Sequence, residues 1–296
     1  MREPTDRGGR TKPIPRKRFG QNFLEDVWAR KVVAAIAPQP SDAFLEIGPG
    51  PGALTRPLAE AASSLVACEI DRDLAAALRD EQLPRVTIVE GDFLKLPFED
   101  LRDALRVAAP EATSFRVAGN LPYNVASPIM FRLIDLTRLG LPLADATIML
   151  QREVADRLLA KPGSGDYSIL AVLIGHRAAV TRLLNLPPGA FRPAPKVHST
   201  VVRLLFHGAE PPVQDEHVLA SVTNAVFSRR RKTLNNALLA YGGLTASTAG
   251  RVLADTGINP VRRPETLSRV ELCGLADAIT EIAHGTRSQP APIPML

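Results

Sequence analysis

The run Ala43-Phe44-Leu45-Glu46-Ile47, followed at once by Gly48-Pro49-Gly50-Pro51-Gly52 and a helical pattern from about Leu54, leaves few folds open to this chain. A stretch of strand length that opens through glycines into a helix is the start of a nucleotide-binding βα unit, because glycine lets the backbone turn sharply and approach a ligand. The glycine spacing alone is a weak signal. It gains weight from Glu69, 21 residues past Gly48 at the end of a second apolar run, Leu65 to Cys68. That is the spacing at which a carboxylate accepts hydrogen bonds from both hydroxyls of a ribose. A third run, Val86 to Val89, ends in Glu90-Gly91-Asp92, and a fourth, Phe115 to Ala118, leads to Asn120. In an open parallel sheet, ligands bind outside the carboxyl ends of the strands, so Gly48, Glu69, Asp92 and Asn120 are expected in one crevice. The competing readings are local ones: Glu69 as a helix-start residue before Asp71-Arg72-Asp73, and Asp92 as a turn cap. The loop lacks both the Lys-Ser/Thr of a phosphate-binding loop and GxGxxG spacing, so a nucleoside without a pyrophosphate fits it better.

The fourth run ends in Gly119-Asn120-Leu121-Pro122-Tyr123-Asn124, ahead of a helical segment beginning near Ser127. Pro122 fixes its own φ and biases Leu121 towards extended geometry, which points the carbonyls outwards. Asn120 offers a side-chain oxygen, Leu121 a main-chain oxygen and Tyr123 a ring. Together they suit a flat heterocycle with an exocyclic amine, although an ordinary Asn-Pro turn has the same composition.

Downstream, Ala146 to Leu150 reads as a strand, Gln151-Arg152-Glu153 opens a helix, and Tyr167 to His176 is helical. Two further strands, Ala178 to Leu184 and Ser199 to Phe206, flank a stiff proline-dense connector, residues 187–196. Phe191 within it is either one face of a base-stacking clamp or an anchor packed on the body. After about residue 208 only helical patterns follow, near Asp215–Phe227, Thr233–Leu239, Ala246–Asp255 and Ser268–Ala283. The expected organisation is a basic flexible arm (1–18), an α/β domain (19–207), a small all-helical domain (208–285) and a disordered tail (286–296).

Of the formal net charge of +5, the first 18 residues carry all: seven basic groups, including Arg16, Lys17 and Arg18, face only Glu3 and Asp6. A basic arm on a balanced body suits a polyanion, as does the run Arg229-Arg230-Arg231-Lys232 at a helix junction, although such runs are also found on solvated faces. No apolar run approaches the roughly 20 residues that span a bilayer, so we expect a cytoplasmic protein without membrane partners. Cys68 and Cys273 lack metal-ligand spacing; buried thiols, no disulfide and no metal are expected.

Five ordered motifs together resemble the small-subunit (16S) ribosomal RNA adenine N6-dimethyltransferases, the kasugamycin-sensitivity dimethylases. They are Arg-Lys-Arg-Phe-Gly-Gln-Asn-Phe-Leu (16–24), Glu-Ile-Gly-Pro-Gly-Pro-Gly (46–52), Gly-Asn-Leu-Pro-Tyr-Asn (119–124), Phe-Arg-Pro-Ala-Pro-Lys-Val-His-Ser (191–199) and Phe-Ser-Arg-Arg-Arg-Lys-Thr-Leu (227–234). His198 stands where such proteins often carry Asp. The resemblance implies a Rossmann-like S-adenosylmethionine-dependent methyltransferase domain, its mostly parallel sheet carrying an antiparallel edge, with a C-terminal helical domain. It implies S-adenosylmethionine (product S-adenosylhomocysteine) bound by Asn22, Leu24, Gly48, Gly50, Glu69, Asp92 and Asn120. Catalysis falls to Asn120, Leu121, Pro122 and Tyr123, and base stacking to Tyr123 and Phe191. RNA contact falls to Arg16, Lys17, Arg18, Arg229, Arg230, Arg231 and Lys232. The implied partner is small-subunit ribosomal RNA in a pre-30S particle, met by a monomer.

Overall fold

A computed structural model describes residues 21–287. Two compact units emerge, one made of residues through Ala155 together with Ala179–Phe206, the other of Asp156–Ala178 with the chain from His207 onwards.

The first unit is built on seven strands: β2 (Ala43–Ile47), β3 (Ser64–Glu69), β4 (Val86–Glu90), β5 (Phe115–Asn120), β6 (Leu143–Gln151), β7 (Ala178–Leu186) and β9 (Ser199–Phe206). Their order is β4-β3-β2-β5-β6-β9-β7. The pairs from β4 to β6 are parallel, and β9 runs antiparallel to β6. Every residue of β2 and β3 is buried, as expected of strands covered on both faces, whereas β4 at the edge is half-exposed. A separate two-stranded ribbon pairs β1 (Phe23–Leu24) antiparallel with β8 (Phe191–Arg192), Leu24 facing Phe191. Two residues are too few for a periodicity to betray a strand, and the sequence gives no sign of this pairing.

Helix α1 (Asp26–Ile36) follows β1, and its last carbonyls are held by two guanidinium groups. Arg203 Nη2 donates to the Ala35 and Ile36 carbonyls at 2.9 and 2.8 Å, and Arg116 Nη2 to Ile36 at 2.9 Å. Arg116 also pairs with Asp42 at 2.7 Å and Asp145 at 2.9 Å. Positive charge at a helix C-terminus complements the macrodipole, and here it also ties the helix end to β5, β6 and β9. Helices α2 (Thr55–Ala61), α3 (Arg72–Asp80), α4 (Phe98–Ala108) and α5 (Ala126–Arg138) supply the crossovers. Asp71 caps α3 by accepting from the Asp73 N–H.

The chain leaves the first unit within α6 (Arg152–Leu159). The second unit contains α7 (Ile169–Gly175), α8 (Glu216–Ser228), α9 (Leu234–Leu238), α10 (Ala246–Thr256) and α11 (Arg269–Arg287). Residues 156–178 were expected in the first domain; their apolar side chains pack elsewhere. Tyr167 meets Phe227 of α8 edge to face, ring centroids 5.7 Å apart, and Val172 lies in the same apolar cluster as Leu219, Val226 and Leu275. Main-chain bonds from His207 to Arg177 and from Glu210 to His176, each 2.9 Å, close the unit.

Candidate active site

The carboxyl edge of the parallel strands opens into a cleft of about 360 Å³ lined by Asn22, Leu24, Gly48, Gly50, Glu69, Asp92, Asn120, Leu121, Pro122 and Tyr123. Ten residues singled out from the sequence thus meet in one place, the volume falling in the usual range for small-molecule sites.

Glu69 ends β3 with its side chain buried, and both oxygens are held by main-chain donors: Gly50 N–H at 2.9 Å and Asp71 N–H at 2.9 Å. Gly50 makes this bond at φ +57, a conformation costly for a residue with a side chain. Two fixed hydrogen bonds orient the carboxylate and leave lone pairs on each oxygen for a ligand. Burial pushes the Glu69 carboxyl above its ordinary value, with the two N–H donors opposing. Asp92 lies just past β4; its Oδ1 accepts from Leu94 N–H at 3.0 Å, and its Oδ2 is 3.8 Å from Lys95 Nζ. The edge of the cleft between these carboxylates has apolar walls in Ile70 and Phe93. An oriented carboxylate, a glycine loop, apolar walls and a second acidic group fit the ribose and adenine of a nucleoside.

Asn120 is the last residue of β5, and its Nδ2 donates to the main-chain carbonyl of Asn22 at 2.8 Å. With Nδ2 committed, Oδ1 is the amide's remaining polar end, on a residue that lines the cleft together with Leu121 and Pro122. The preceding residue has to be glycine for a steric reason, since a Cβ on Gly119 would lie 2.9 Å from the Ile47 carbonyl oxygen. Tyr123 lies half-buried, its hydroxyl 2.7 Å from Ser199 Oγ at the start of β9. Burial pushes its phenol above the ordinary value, so the ring is neutral at physiological pH.

Three site residues escaped the sequence reading. Ser199, fully buried, was hidden because only the fold brings β9 to Tyr123. Phe23, whose ring lies 3.5 Å from a Cβ placed on Gly50, gave no signal. Glu46 gave one: a carboxylate in an otherwise apolar strand. It lines the cleft at 1% exposure, with Oε2 lacking a hydrogen-bond partner, and burial pushes its carboxyl up to about 8. Thr55 opposes that rise, and the nearby charge of Glu69 adds to it.

Phe191 is a correction. Its ring is 1% exposed and sits with Leu24, Ile36, Leu186 and Ala190 in the apolar core, away from the cleft lining. Of the two readings open for it, the packed anchor is the one the structure supports, because pairing β8 with β1 turns the side chain inward. Arg229, Arg231 and Lys232 are exposed after α8. Arg230 differs: it donates to the Gly165 carbonyl at 3.0 Å and lies 3.8 Å from Glu265, so part of its charge is used inside the helical unit. Arg16, Lys17 and Arg18 lie outside the described residues. Cys68 and Cys273 are buried free thiols, burial pushing them up to about 12 and about 11. Among the described residues no group of three or more His, Cys, Asp or Glu is arranged to hold a metal, and no helix is long and apolar enough to cross a membrane.

A mostly parallel seven-stranded sheet with an antiparallel strand near its edge, a glycine loop after β2 and an acid after β3 defines the Rossmann-like S-adenosylmethionine-dependent methyltransferases. Within that class, residues 14–275 match the ribosomal RNA adenine dimethylases, and the chain belongs to that family. Relatives named ribosomal RNA small subunit methyltransferase A are 42% identical in Escherichia coli O81 and 41% in Salmonella typhimurium, over 91% of this chain and 95% of theirs. A dimethyladenosine transferase from Plasmodium falciparum has the same fold at 24% identity (TM-score 0.71, covering 89% of this chain and 98% of that one). The 23S rRNA methyltransferase ErmE shares it at 24% identity and TM-score 0.60 (88% and 100% covered).

Proposed function

We propose that this protein transfers methyl groups from S-adenosylmethionine to N6 of two adjacent adenines in a 3′-terminal hairpin of small-subunit ribosomal RNA. The products are N6,N6-dimethyladenosines, made as a cytoplasmic monomer acts on a pre-30S particle. The observation that carries the reading is the Asn120 amide, whose nitrogen is committed to Asn22 while its oxygen is left to the cleft that Glu69 and Asp92 also line. Relatives at 41–42% identity bear a small-subunit name, which favours that RNA over the large-subunit target of ErmE.

Glu69 is placed for the ribose hydroxyls of the donor, Asp92 for its adenine amine, and the glycine loop for its methionine end. S-adenosylmethionine, when bound, supplies an electrophilic methyl group on a sulfonium. The chain's own task is to present a poor nucleophile well, because the adenine N6 lone pair is delocalised into the ring. Asn120 Oδ1 and the Leu121 carbonyl accept its N–H bonds and so favour a pyramidal nitrogen with its lone pair directed away from them. Neutral oxygens suffice, since the amine proton becomes acidic once the nitrogen is substituted. Holding the amine in line is worth an effective molarity on the order of 10⁵–10⁸ M. The Tyr123 ring receives the extruded base, and its stacking, about 1–3 kcal/mol, offsets part of the cost of unstacking. Arg229, Arg231 and Lys232 meet phosphates.

The decisive experiment combines purified protein, small-subunit RNA particles and mass spectrometry of the RNA 3′ fragment. Wild type should add two methyl groups to each of two adenines, and Asn120→Ala should bind donor and RNA yet leave them unmodified. Methylation of large-subunit RNA instead, or normal turnover by Asn120→Ala, would overturn the reading.

A further inference from the structure

We propose that the main-chain carbonyl of Asn22, held in place by the β1–β8 ribbon, is the positioning group for the Asn120 amide, and that it dictates an amide instead of a carboxylate at position 120. The inference rests on the proposed function, in which Asn120 presents an acceptor to an amine. An asparagine side chain has one accepting end and one donating end of nearly equal shape. Turned the wrong way in the cleft, it would offer N–H to an N–H donor. The Asn22 carbonyl can only accept, so it captures Nδ2 at 2.8 Å and leaves Oδ1 as the sole end facing the amine.

That carbonyl is itself fixed from both sides. On one side Gln21 Nε2 reaches Asp71 Oδ2 at 3.4 Å. On the other, Phe23 and Leu24 pair with Arg192 and Phe191, and Glu25 N–H donates to the Ala190 carbonyl at 2.9 Å. The buried Phe191 ring pins β8, and α1, which continues the strap, is clamped at its far end by Arg116 and Arg203. Phe191, conspicuous in the sequence as an aromatic on a stiff loop, thus serves the reacting amine from a distance, through Leu24 and Asn22.

A carboxylate at position 120 would be at least as good an acceptor for N6–H, but it would set an oxygen against the Asn22 carbonyl with no proton between them. Protonated, it could donate to Asn22 and accept from the amine, which restores the arrangement. Asn120→Asp therefore has a pH signature opposite to that of a simple acceptor. Single-turnover methyl transfer is measured for wild type and variant from about pH 5.5 to about pH 9, and their ratio is taken. Glu46, Glu69, Cys68, Asp92 and Tyr123 line the same cleft in both proteins, so any pH dependence they impose is shared and the ratio isolates position 120. The variant should fall about 100-fold below wild type at the alkaline end and recover about tenfold per pH unit as its carboxyl takes up a proton. A variant that matches wild type at high pH, or loses ground towards acid, overturns the proposal.

A second readout needs neither donor nor RNA. The side-chain amide protons of Asn120, assigned by NMR through their absence from Asn120→Ala, should exchange with water at least about tenfold more slowly than those of the exposed Asn124. Equal exchange rates overturn the positioning role even if Asn120→Asp fails to fold. Slow exchange in a protein that methylates no RNA would fault the proposed function and leave the positioning intact.

Discussion

Replacing Gly119 with alanine tests how closely the chemistry depends on main-chain packing one residue away from it. The added Cβ would lie 2.9 Å from the Ile47 carbonyl oxygen and 2.9 Å from Leu121 Cδ2, where ordinary contacts begin near 3.4 Å. Leucine can rotate, but the carbonyl belongs to the fully buried strand β2 that pairs with β5. The strands must therefore part by about 0.5 Å, and overpacking of this kind costs about 1–3 kcal/mol. The same shift is handed to Asn120. If a 1 Å misplacement costs about 100-fold in rate, half that distance costs about tenfold, or roughly 1.4 kcal/mol. Single-turnover methyl transfer should fall by that factor while calorimetry shows little change in donor affinity, because Glu69 ends β3, across β2 from β5. A lowered melting temperature should accompany it. Gly119→Ala that melts and methylates like wild type would show that the close approach does not constrain the site.

Ser199→Ala and Tyr123→Phe remove the same 2.7 Å hydrogen bond from opposite ends. A double-mutant cycle on methyl transfer should show coupling of about 1 kcal/mol, and strictly additive losses would mean that Ser199 does not hold the ring. Phe191→Ala should destabilise the fold by about 3–5 kcal/mol, as expected of a core aromatic, whereas a ring poised for stacking would leave the denaturation midpoint almost unchanged. The Glu46 carboxyl titrates near 8 in the folded protein and near 4.5 when unfolded. Between these values the folded state keeps a proton that the unfolded state has released, so its stabilising contribution, complete below about 4.5, is lost as pH rises through about 8. Glu46→Gln should flatten the fall in melting temperature across that window, and parallel curves would refute the assignment. Reversing the charges of Arg229, Arg231 and Lys232 should reduce the slope of log affinity against log salt by about 0.7–0.9 for each phosphate no longer neutralised; an unaltered slope removes the patch from the interface.

The central strands were legible in the amino-acid order because parallel strands buried on both faces are written as unbroken apolar runs. The polar residue that ends each run marks the ligand edge, which is how Glu69, Asp92 and Asn120 could be brought together without coordinates. What escaped depended on partners distant in the chain. Phe191 stays open between a stacking face and a packed anchor until Leu24 and Ile36 are seen against it, some 155 and more residues away in sequence. Ser199 looks like any first residue of a strand until Tyr123 reaches it. Glu46 is the instructive case, since its charge stood in plain view within Ala43–Ile47 and could have been asked what it was doing there.

Because Asp156–Ala178 leaves the sheet to join the helices and the chain then returns for β7 and β9, the polypeptide passes between the two units three times. The helical unit is consequently assembled from two separate stretches of the chain. A stop after Phe206 would not yield a trimmed catalytic body: it would strand Tyr167 and Val172 without the residues that cover them. Any exchange of this unit for another has to replace both pieces together.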